Sequence, residues 1–289
     1  MQQQQVIRVF GIPMDLGQSR RGVDMGPSAM RYAGLQEKLS SLGYVIHDEG
    51  NIATAEAEQS LAHYGTEVIE GVAHFLPEVA QICRGIYQRI LACLQTDERG
   101  IFIGGDHSMS IGTVAAAINT AGQGKRVGLL WIDAHADMNT PQTSPSGNIH
   151  GMSLAALLGY GPDSLTQISG AGRAPRVKPE DVVLIGLRDV DLEERKMVKS
   201  SGVRAYTMHH IDVMGISALA DEIIRHFATY DYLHISLDLD SCDPTFAPGV
   251  GTPVRGGLSY REAHLLMEML ATTQKIRTVD VVELNPILD

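Results

Sequence analysis

This sequence predicts an α/β fold, a parallel sheet covered on both faces by helices, and three observations carry that prediction. Short apolar runs recur along the chain, helix-length amphipathic stretches separate them, and no linker, repeat or low-complexity tract interrupts the alternation. A strand buried on both faces reads as a near-continuous apolar run rather than as polar/apolar alternation, which is why such runs point to a parallel sheet.

In chain order, the first run is Val6–Ile12, followed by an amphipathic stretch at 27–42 that opens on Pro27, whose fixed φ suits the first turn of a helix. A helix is expected at 77–95, a strand at 101–103 and a helix at 110–119. Val127–Ile132 is the next strand, 151–158 a helix and Val182–Leu187 a strand. Helix 218–229, strand 232–237, helix 260–272 and strand 278–282 complete the series. The longest stretch with neither pattern is 139–150, rich in Thr, Pro, Ser, Gly and Asn. Long loops in compact domains are usually functional, so this one is expected to recognise a substrate. One domain over residues 1–289 is expected.

Composition narrows the class. With 44% hydrophobic and 20% charged residues the chain is ordinary for a globular protein, and a net charge of −11 argues against a nucleic-acid surface. Cys83, Cys93 and Cys242 are an odd set without metal-type spacing, which favours a reducing compartment over a disulfide framework. The Met1-Gln2-Gln3-Gln4-Gln5 start lacks the regions of a signal peptide, and no run of about 18 apolar residues occurs. A cytoplasmic protein with no membrane partner is expected.

The chemistry is concentrated in Asp133-Ala134-His135-Ala136-Asp137 and Asp238-Leu239-Asp240. On an extended chain alternate residues face one way, so each segment gathers its ligand-type side chains on one side. His107, in Gly104-Gly105-Asp106-His107-Ser108, follows the 101–103 run in the same manner. In open parallel sheets ligands bind beyond the carboxyl ends of the strands, where His107, Asp133, Asp238 and Glu283 all fall.

Asp133, Asp137, Asp238 and Asp240 packed together need counter-charge, or burial would raise several of their pKa values and destabilise the fold. Two divalent cations would supply it, sharing the six ligands through bridging carboxylates and a bridging water or hydroxide, with the ions roughly 3.5–4 Å apart. Carboxylate and imidazole ligands without a thiolate favour Mn²⁺, although zinc, cobalt, nickel or iron fit the same set. A binuclear hydrolytic centre with two Mn²⁺ per chain is expected.

Asp106 and Asp243 are expected to be hydrogen-bond partners of the ligands. His47, His63, His74, His209, His210, His226 and His264 have no ligand spacing, and His209 and His210 would point apart on a surface strand. Gly104-Gly105 lacks the Gly-Lys-Ser/Thr of a phosphate loop.

These motifs, together with Gly11-Ile12-Pro13-Met14-Asp15-Leu16-Gly17, Arg21-Gly22-Val23-Asp24-Met25-Gly26-Pro27, Ser146-Gly147-Asn148-Ile149-His150-Gly151, Gly186-Leu187-Arg188-Asp189-Val190-Asp191 and Glu283-Leu284-Asn285-Pro286, give a chain that resembles the ureohydrolase superfamily, and within it the arginase family, over nearly its whole length. The resemblance implies a three-layer αβα fold around a mainly parallel eight-stranded sheet, of the arginase/deacetylase kind. It also implies hydrolysis of L-arginine to L-ornithine and urea by a metal-bridging hydroxide, in a homotrimer or homohexamer.

By the same resemblance, His107 and Asp137 would bind one ion, His135 and Asp240 the other, and Asp133 and Asp238 would bridge. The guanidinium carbon is a poor electrophile, and a metal-bound water whose pKa falls from about 15.7 to roughly 7 is nucleophile enough to attack it. Asp137 would relay a proton to the leaving nitrogen, and His150 would be the proton shuttle. Glu283 would pair with the guanidinium through its two oxygens. Asn139, Ser146 and Asn148 would hold the α-carboxylate, Asp191 and Glu194 the α-ammonium, and Thr252 belongs to the same substrate-binding set.

The 139–141 and 146–148 elements are arginase-like rather than agmatinase-like, and buried polar groups built for one substrate moiety reject an analogue lacking it by about 10⁴–10⁵. Three departures stand against the family pattern. Ser153 replaces a common proline, Leu192-Glu193 replaces a common Pro-Gly and bears on the register of Glu194, and the sequence ends at Asp289 where family members usually continue into a helix that covers the sheet and contributes to assembly. The rival readings are a ureohydrolase for agmatine or another guanidino compound, and a catalytically silent arginine-binding relative. A binuclear phosphate-ester hydrolase is disfavoured by the acidic balance and the lack of a phosphate clamp.

Overall fold

The computed structural model describes residues 5–55, 72–170 and 177–289. Its strands are β1 Val6–Ile12, β2 Val45–Asn51, β3 Arg99–Gly104, β4 Val127–Ile132, β5 Val182–Leu187, β6 Arg204–Thr207, β7 Tyr232–Asp238 and β8 Ile276–Val282. They form one eight-stranded sheet in the order β2-β1-β3-β8-β7-β4-β5-β6. Every pair of neighbours runs parallel, so the sheet is wholly rather than mainly parallel.

The six predicted strands are all present, and the two that were not predicted are the sheet's edges. An edge strand has one neighbour and an open side, so it lacks the continuous apolar run of a central strand. In β2 the apolar pair Val45-Ile46 gives way to His47-Asp48-Glu49, and Asp48 and Glu49 form ion pairs with Arg31 and Arg8. β6 is four residues long.

The helices are α1 Gly26–Tyr32, α2 Leu35–Ser41, α3 Leu76–Cys93, α4 Ser110–Thr120, α5 Ser153–Leu157, α6 Asp163–Thr166, α7 Leu192–Ser201, α8 Met208–Met214, α9 Ile216–His226 and α10 Tyr260–Ala271. The single helix expected at 27–42 is two, divided at Gly34, whose φ of 82° no continuous helix accommodates. α7 escapes a periodicity reading because its sequence, Leu-Glu-Glu-Arg-Lys-Met-Val-Lys-Ser-Ser, has too few apolar residues to form a stripe. His209 and His210 lie exposed on α8 rather than on a strand, and His210 Nδ1 accepts the Thr207 N–H at 3.0 Å as part of the helix cap. His63 lies outside the described residues. Of the loop expected at 139–150, residues 139–148 carry no helix or strand, and 149–150 already belong to a 3-10 turn, Ile149–Met152.

Alternation along the central strands sends side chains into two separate cores. From β4 and β5, Leu130, Ile132, Val183 and Ile185 pack with α8, α9 and α10, while Leu129, Trp131, Val182 and Leu184 pack on the opposite face with α4 and α5. On β1 and β3, Phe10, Ile12 and Phe102 meet α3, whereas Ile7, Val9 and Ile103 face the other way. No described helix is long and apolar enough to cross a membrane.

Where β3 ends, Gly105 allows three backbones to meet. A Cβ there would stand 1.8 Å from Met14 O, and the residue donates to Ile12 O and accepts from Glu283 N, each at 2.9 Å. The Gly104-Gly105 pair thus serves close approach, which brings Glu283 beside His107. Gly34, by contrast, has only the tip of Glu37 within 4 Å of its would-be Cβ, at 3.6 Å. Gly34→Ala is expected to cost about 1 kcal/mol through backbone strain alone, and Gly105→Ala more than about 4 kcal/mol, in urea denaturation. Similar midpoints for the two variants would contradict this account of the seam.

Candidate metal centre

Four adjacent strands, β3, β8, β7 and β4, aim their carboxyl ends at one point. His107 comes from the turn after β3, Glu283 follows β8, Asp238 ends β7, and Asp133 follows β4. The side chains converge through turns rather than along extended strand. Asp133 Oδ1 accepts the His135 N–H at 2.7 Å and Asp238 Oδ1 accepts the Asp240 N–H at 2.8 Å, so each first aspartate folds its own segment back towards itself. Asp137 takes a left-handed conformation, φ 51°, as does Glu283, φ 65°. For residues other than glycine such backbone is uncommon and costs strain, and strain of this kind clusters at functional sites.

Around His107 Nδ1 lie Asp137 Oδ2 at 3.0 Å, Asp133 Oδ2 at 3.1 Å and Asp238 Oδ2 at 3.2 Å. Around His135 Nδ1 lie Asp240 Oδ2 at 3.1 Å and Asp133 Oδ1 at 3.4 Å. Asp133 therefore offers one oxygen to each imidazole. The ligand atoms of His107, Asp133 and Asp137, and those of Asp133, His135 and Asp240, each fall within 4.8 Å of one another, and both groups are positions that could hold a metal ion. His107 Nδ1 and Asp137 Oδ2 are buried, and neither makes a hydrogen bond. Buried polar atoms without partners are costly, and here they are the atoms an ion would engage.

Electrostatics agree with that fit. Burial, with the neighbouring Asp133 charge, pushes Asp137 up to about 6. Burial together with Asp240 and Asp133 raises Asp238 well above the carboxylate range. For Asp133, burial opposes ionisation, but the imidazoles of His107 and His135 hold its pKa below the usual value. Burial disfavours a charged His107, yet its three carboxylate neighbours raise its pKa well above the usual imidazole value. Protons are doing the neutralising that cations do better.

Other groups fix the set. His107 Nε2 lies 2.9 Å from Ser236 Oγ, which donates to Asp280 Oδ2 at 3.1 Å. Because a carboxylate only accepts, the serine proton goes to Asp280 and His107 donates from Nε2, so that on loss of the Nδ1 proton to an ion the Nδ1 lone pair would face the carboxylates. Trp131 stacks on His107, with centroids 4.1 Å apart, and donates to Asp133 Oδ2 at 3.0 Å. Thr252 Oγ1 donates to Asp240 Oδ2 at 2.9 Å. Asp106 and Asp243 hydrogen-bond loops rather than ligand side chains. Asp106 caps the His107 turn through Ser108 and accepts from Gly17 N, and Asp243 accepts from the N–H groups of Thr245, Gly256 and Gly257.

His150 and Glu283 stand beside the cluster, with His150 Nδ1 3.1 Å from Glu283 Oε1. Burial would lower the His150 pKa, but the Glu283 carboxylate outweighs it and holds the imidazole up at about 9. The outer residues divide. Ser146 is exposed and Asn148 half-buried at the rim, where Asn148 Oδ1 accepts from Ser19 Oγ at 3.0 Å. Asn139 turns inward, donating to Asp191 Oδ2 at 2.7 Å and accepting from Thr143 Oγ1 at 2.8 Å. Asp191 also caps α7 through the Glu194 N–H at 2.9 Å, and Glu194 accepts from Met138 N at 3.0 Å.

Sequence reasoning missed Gln18, whose amide donates to Glu283 Oε2 at 2.9 Å, and gave no role to Trp131 or Asp280. Asp280 had a signal, the one charge within the apolar run 278–282. Gln18 had none beyond its place in a loop.

Burial pushes Glu194 up to about 8; the Met138 N–H opposes this, Asp137 and Asp191 add to it, and His135 opposes it. Its folded pKa lies above the unfolded one, so the stability it contributes is fully present below about pH 4.5 and lost as pH rises through about 8. In ion-free protein, the melting temperature of Glu194→Gln relative to wild type is expected to climb by several degrees between about pH 5 and pH 9. A flat difference would show that Glu194 ionises normally.

The family model described as "Arginase family" matches residues 5–289. The arginase of Bacillus caldovelox is 49% identical over 284 residues, covering 98% of this chain and 92% of the relative. Among solved structures, the arginase of Bacillus cereus superposes with a TM-score of 0.89 at 47% identity, over 99% of this chain and 92% of that one. The Entamoeba histolytica arginase in complex with L-ornithine gives 0.89 at 31% identity, over 99% and 94%.

Proposed function

Since the chain belongs to the arginase family, we propose that it hydrolyses L-arginine to L-ornithine and urea with two Mn²⁺ held by His107, Asp133, His135, Asp137, Asp238 and Asp240. The observation that carries this reading is the pair of His/Asp groups sharing Asp133, set beside the His150–Glu283 pair. In the assignment the family resemblance implies, His107 and Asp137 would serve one ion, His135 and Asp240 the other, and Asp133 and Asp238 both; what supports it here is that Asp133 belongs to both groups, while Asp238 lies against His107. Six oxygen and nitrogen donors with no sulfur suit Mn²⁺. What such ions supply is charge neutralisation and a water acidic enough to attack a guanidinium carbon near neutral pH.

The chain's residues do the rest. Glu283, an anion at the base of the site, receives the guanidinium and turns its carbon towards the cluster. Asp137, with Oδ2 turned to the ion position, would use its other oxygen to take a proton from the attacking water and pass it to the departing δ-nitrogen. His150 holds Glu283 through Nδ1 and keeps Nε2 for proton exchange with bulk water. With a pKa held at about 9 it is protonated at neutral pH and restores a proton to the leaving amine.

Ser146 and Asn148 at the rim meet the α-carboxylate, Asp191 and Glu194 meet the α-ammonium, Asn139 orients Asp191, and Thr252, on the substrate side, also holds Asp240 towards His135. This set makes arginine, rather than agmatine, the substrate. The enzyme acts in the cytoplasm as a homotrimer or homohexamer, a setting in keeping with three free cysteines.

Urea release by chelator-stripped, Mn²⁺-reloaded protein is expected from L-arginine and not from agmatine. A preference for agmatine would overturn the substrate, and two bound ions without turnover would make the protein a silent arginine binder. Asp133→Ala is expected to lose metal and nearly all activity, while His150→Asn keeps both ions and turns over about 10²-fold more slowly. Equal metal loss in both variants would remove His150 from its shuttle role.

A further inference from the structure

Glu283 is fully buried, and its carboxylate is largely spoken for. Oε1 accepts the His107 backbone N–H at 2.9 Å and His150 Nδ1 at 3.1 Å, and Oε2 accepts Gln18 Nε2 at 2.9 Å. A carboxylate has about four lone-pair directions, so roughly one is left, on Oε2. An alkylguanidinium brings about five N–H donors in a rigid fork, and a buried charged donor without an acceptor is costly. The two-oxygen pairing expected of Glu283 is therefore closed, and a second acceptor is needed.

That acceptor stands next to it. Gln18 is 7% exposed, and its Oε1 is buried without a hydrogen-bond partner. Its amide orientation is set by the bond from Nε2 to Glu283. Gly251 lies against both oxygens with no room for a side chain, since a Cβ there would stand 2.5 Å from Glu283 Oε2 and 2.7 Å from Gln18 Oε1. The preceding peptide is pinned on both sides, with Gly17 N donating to Asp106 Oδ2 at 2.8 Å and Gly17 O accepting from His150 N at 3.0 Å. Gln18 thus enters the site at a place fixed relative to His150.

We infer that Gln18 is a specificity-determining residue whose Oε1 accepts one N–H of the substrate guanidinium while the remaining Glu283 lone pair accepts another. This rests on the arginine-hydrolysing reading of the site. An amide suits the position better than a carboxylate because it gives Glu283 a donor and the substrate an acceptor without placing a second negative charge against the first. Ornithine ends at its δ-nitrogen and lacks the guanidino carbon and terminal N–H groups that would meet Gln18, so the residue distinguishes guanidino compounds from the shorter amine.

The test is Gln18→Met, similar in length but without the amide, compared with wild type in Mn²⁺-loaded protein. Calorimetry gives the Kd of guanidinium ion and of L-ornithine, kinetics give kcat and KM for arginine, and metal content is measured throughout. The expected result is guanidinium affinity and arginine KM weakened about tenfold or more, with metal content unchanged and ornithine Kd within about twofold. Gln18→Ala, which needs no extra space, guards against a variant that does not fold, and the same split is expected. Equal weakening of guanidinium and ornithine would make Gln18 a structural support, and unchanged guanidinium affinity would mean that water alone serves Oε1; either overturns the inference. A wild-type chain that releases no urea but still shows the Gln18-dependent guanidinium affinity overturns the reaction and leaves the residue's role standing, whereas one that binds no guanidinium overturns the role.

Discussion

Four buried carboxylates and two imidazoles within a few ångströms of each other set the terms for the rest of this molecule. Like charges at that distance repel strongly where water is excluded, and the protein meets the repulsion by raising Asp137 and Asp238 and charging the imidazoles. Such a cluster is built to be completed by cations. The surroundings hold it open for them: Asp280 acts through Ser236 on His107, Trp131 and the His135 N–H engage Asp133, and Thr252 holds Asp240.

The sheet supplies the convergence. Because all its strands run parallel, their carboxyl ends lie on one side, and the four that carry the cluster are neighbours in the middle, buried on both faces. The sheet's liabilities are at its edges, far from the chemistry, where β2 is faced with charge and β6 is short.

How much of this was legible depends on what each segment buries. The six central strands were readable because two buried faces force an apolar run, and the ligands because they stand where those runs stop. β2, β6 and α7 were not, since a half-exposed element carries a weak pattern and takes its stability from tertiary pairing. The ligand segments were identified through alternation, yet the chain realises them as turns closed by the side chains of Asp133 and Asp238, whose geometry no period describes. Gln18 was illegible for a different reason. Its importance comes from Glu283, some 265 positions away along the chain, and from the missing Cβ of Gly251.

The indole stacked on His107 belongs to the only tryptophan in the chain, and its N–H is bonded to Asp133, the carboxylate common to both metal-type groups. A change in charge or protonation at either residue is felt by that ring and by no other indole. The protein therefore carries its own optical probe, and ultraviolet emission excited at the red edge of its absorption, where tyrosine is silent, is a record of one site rather than an average over the fold.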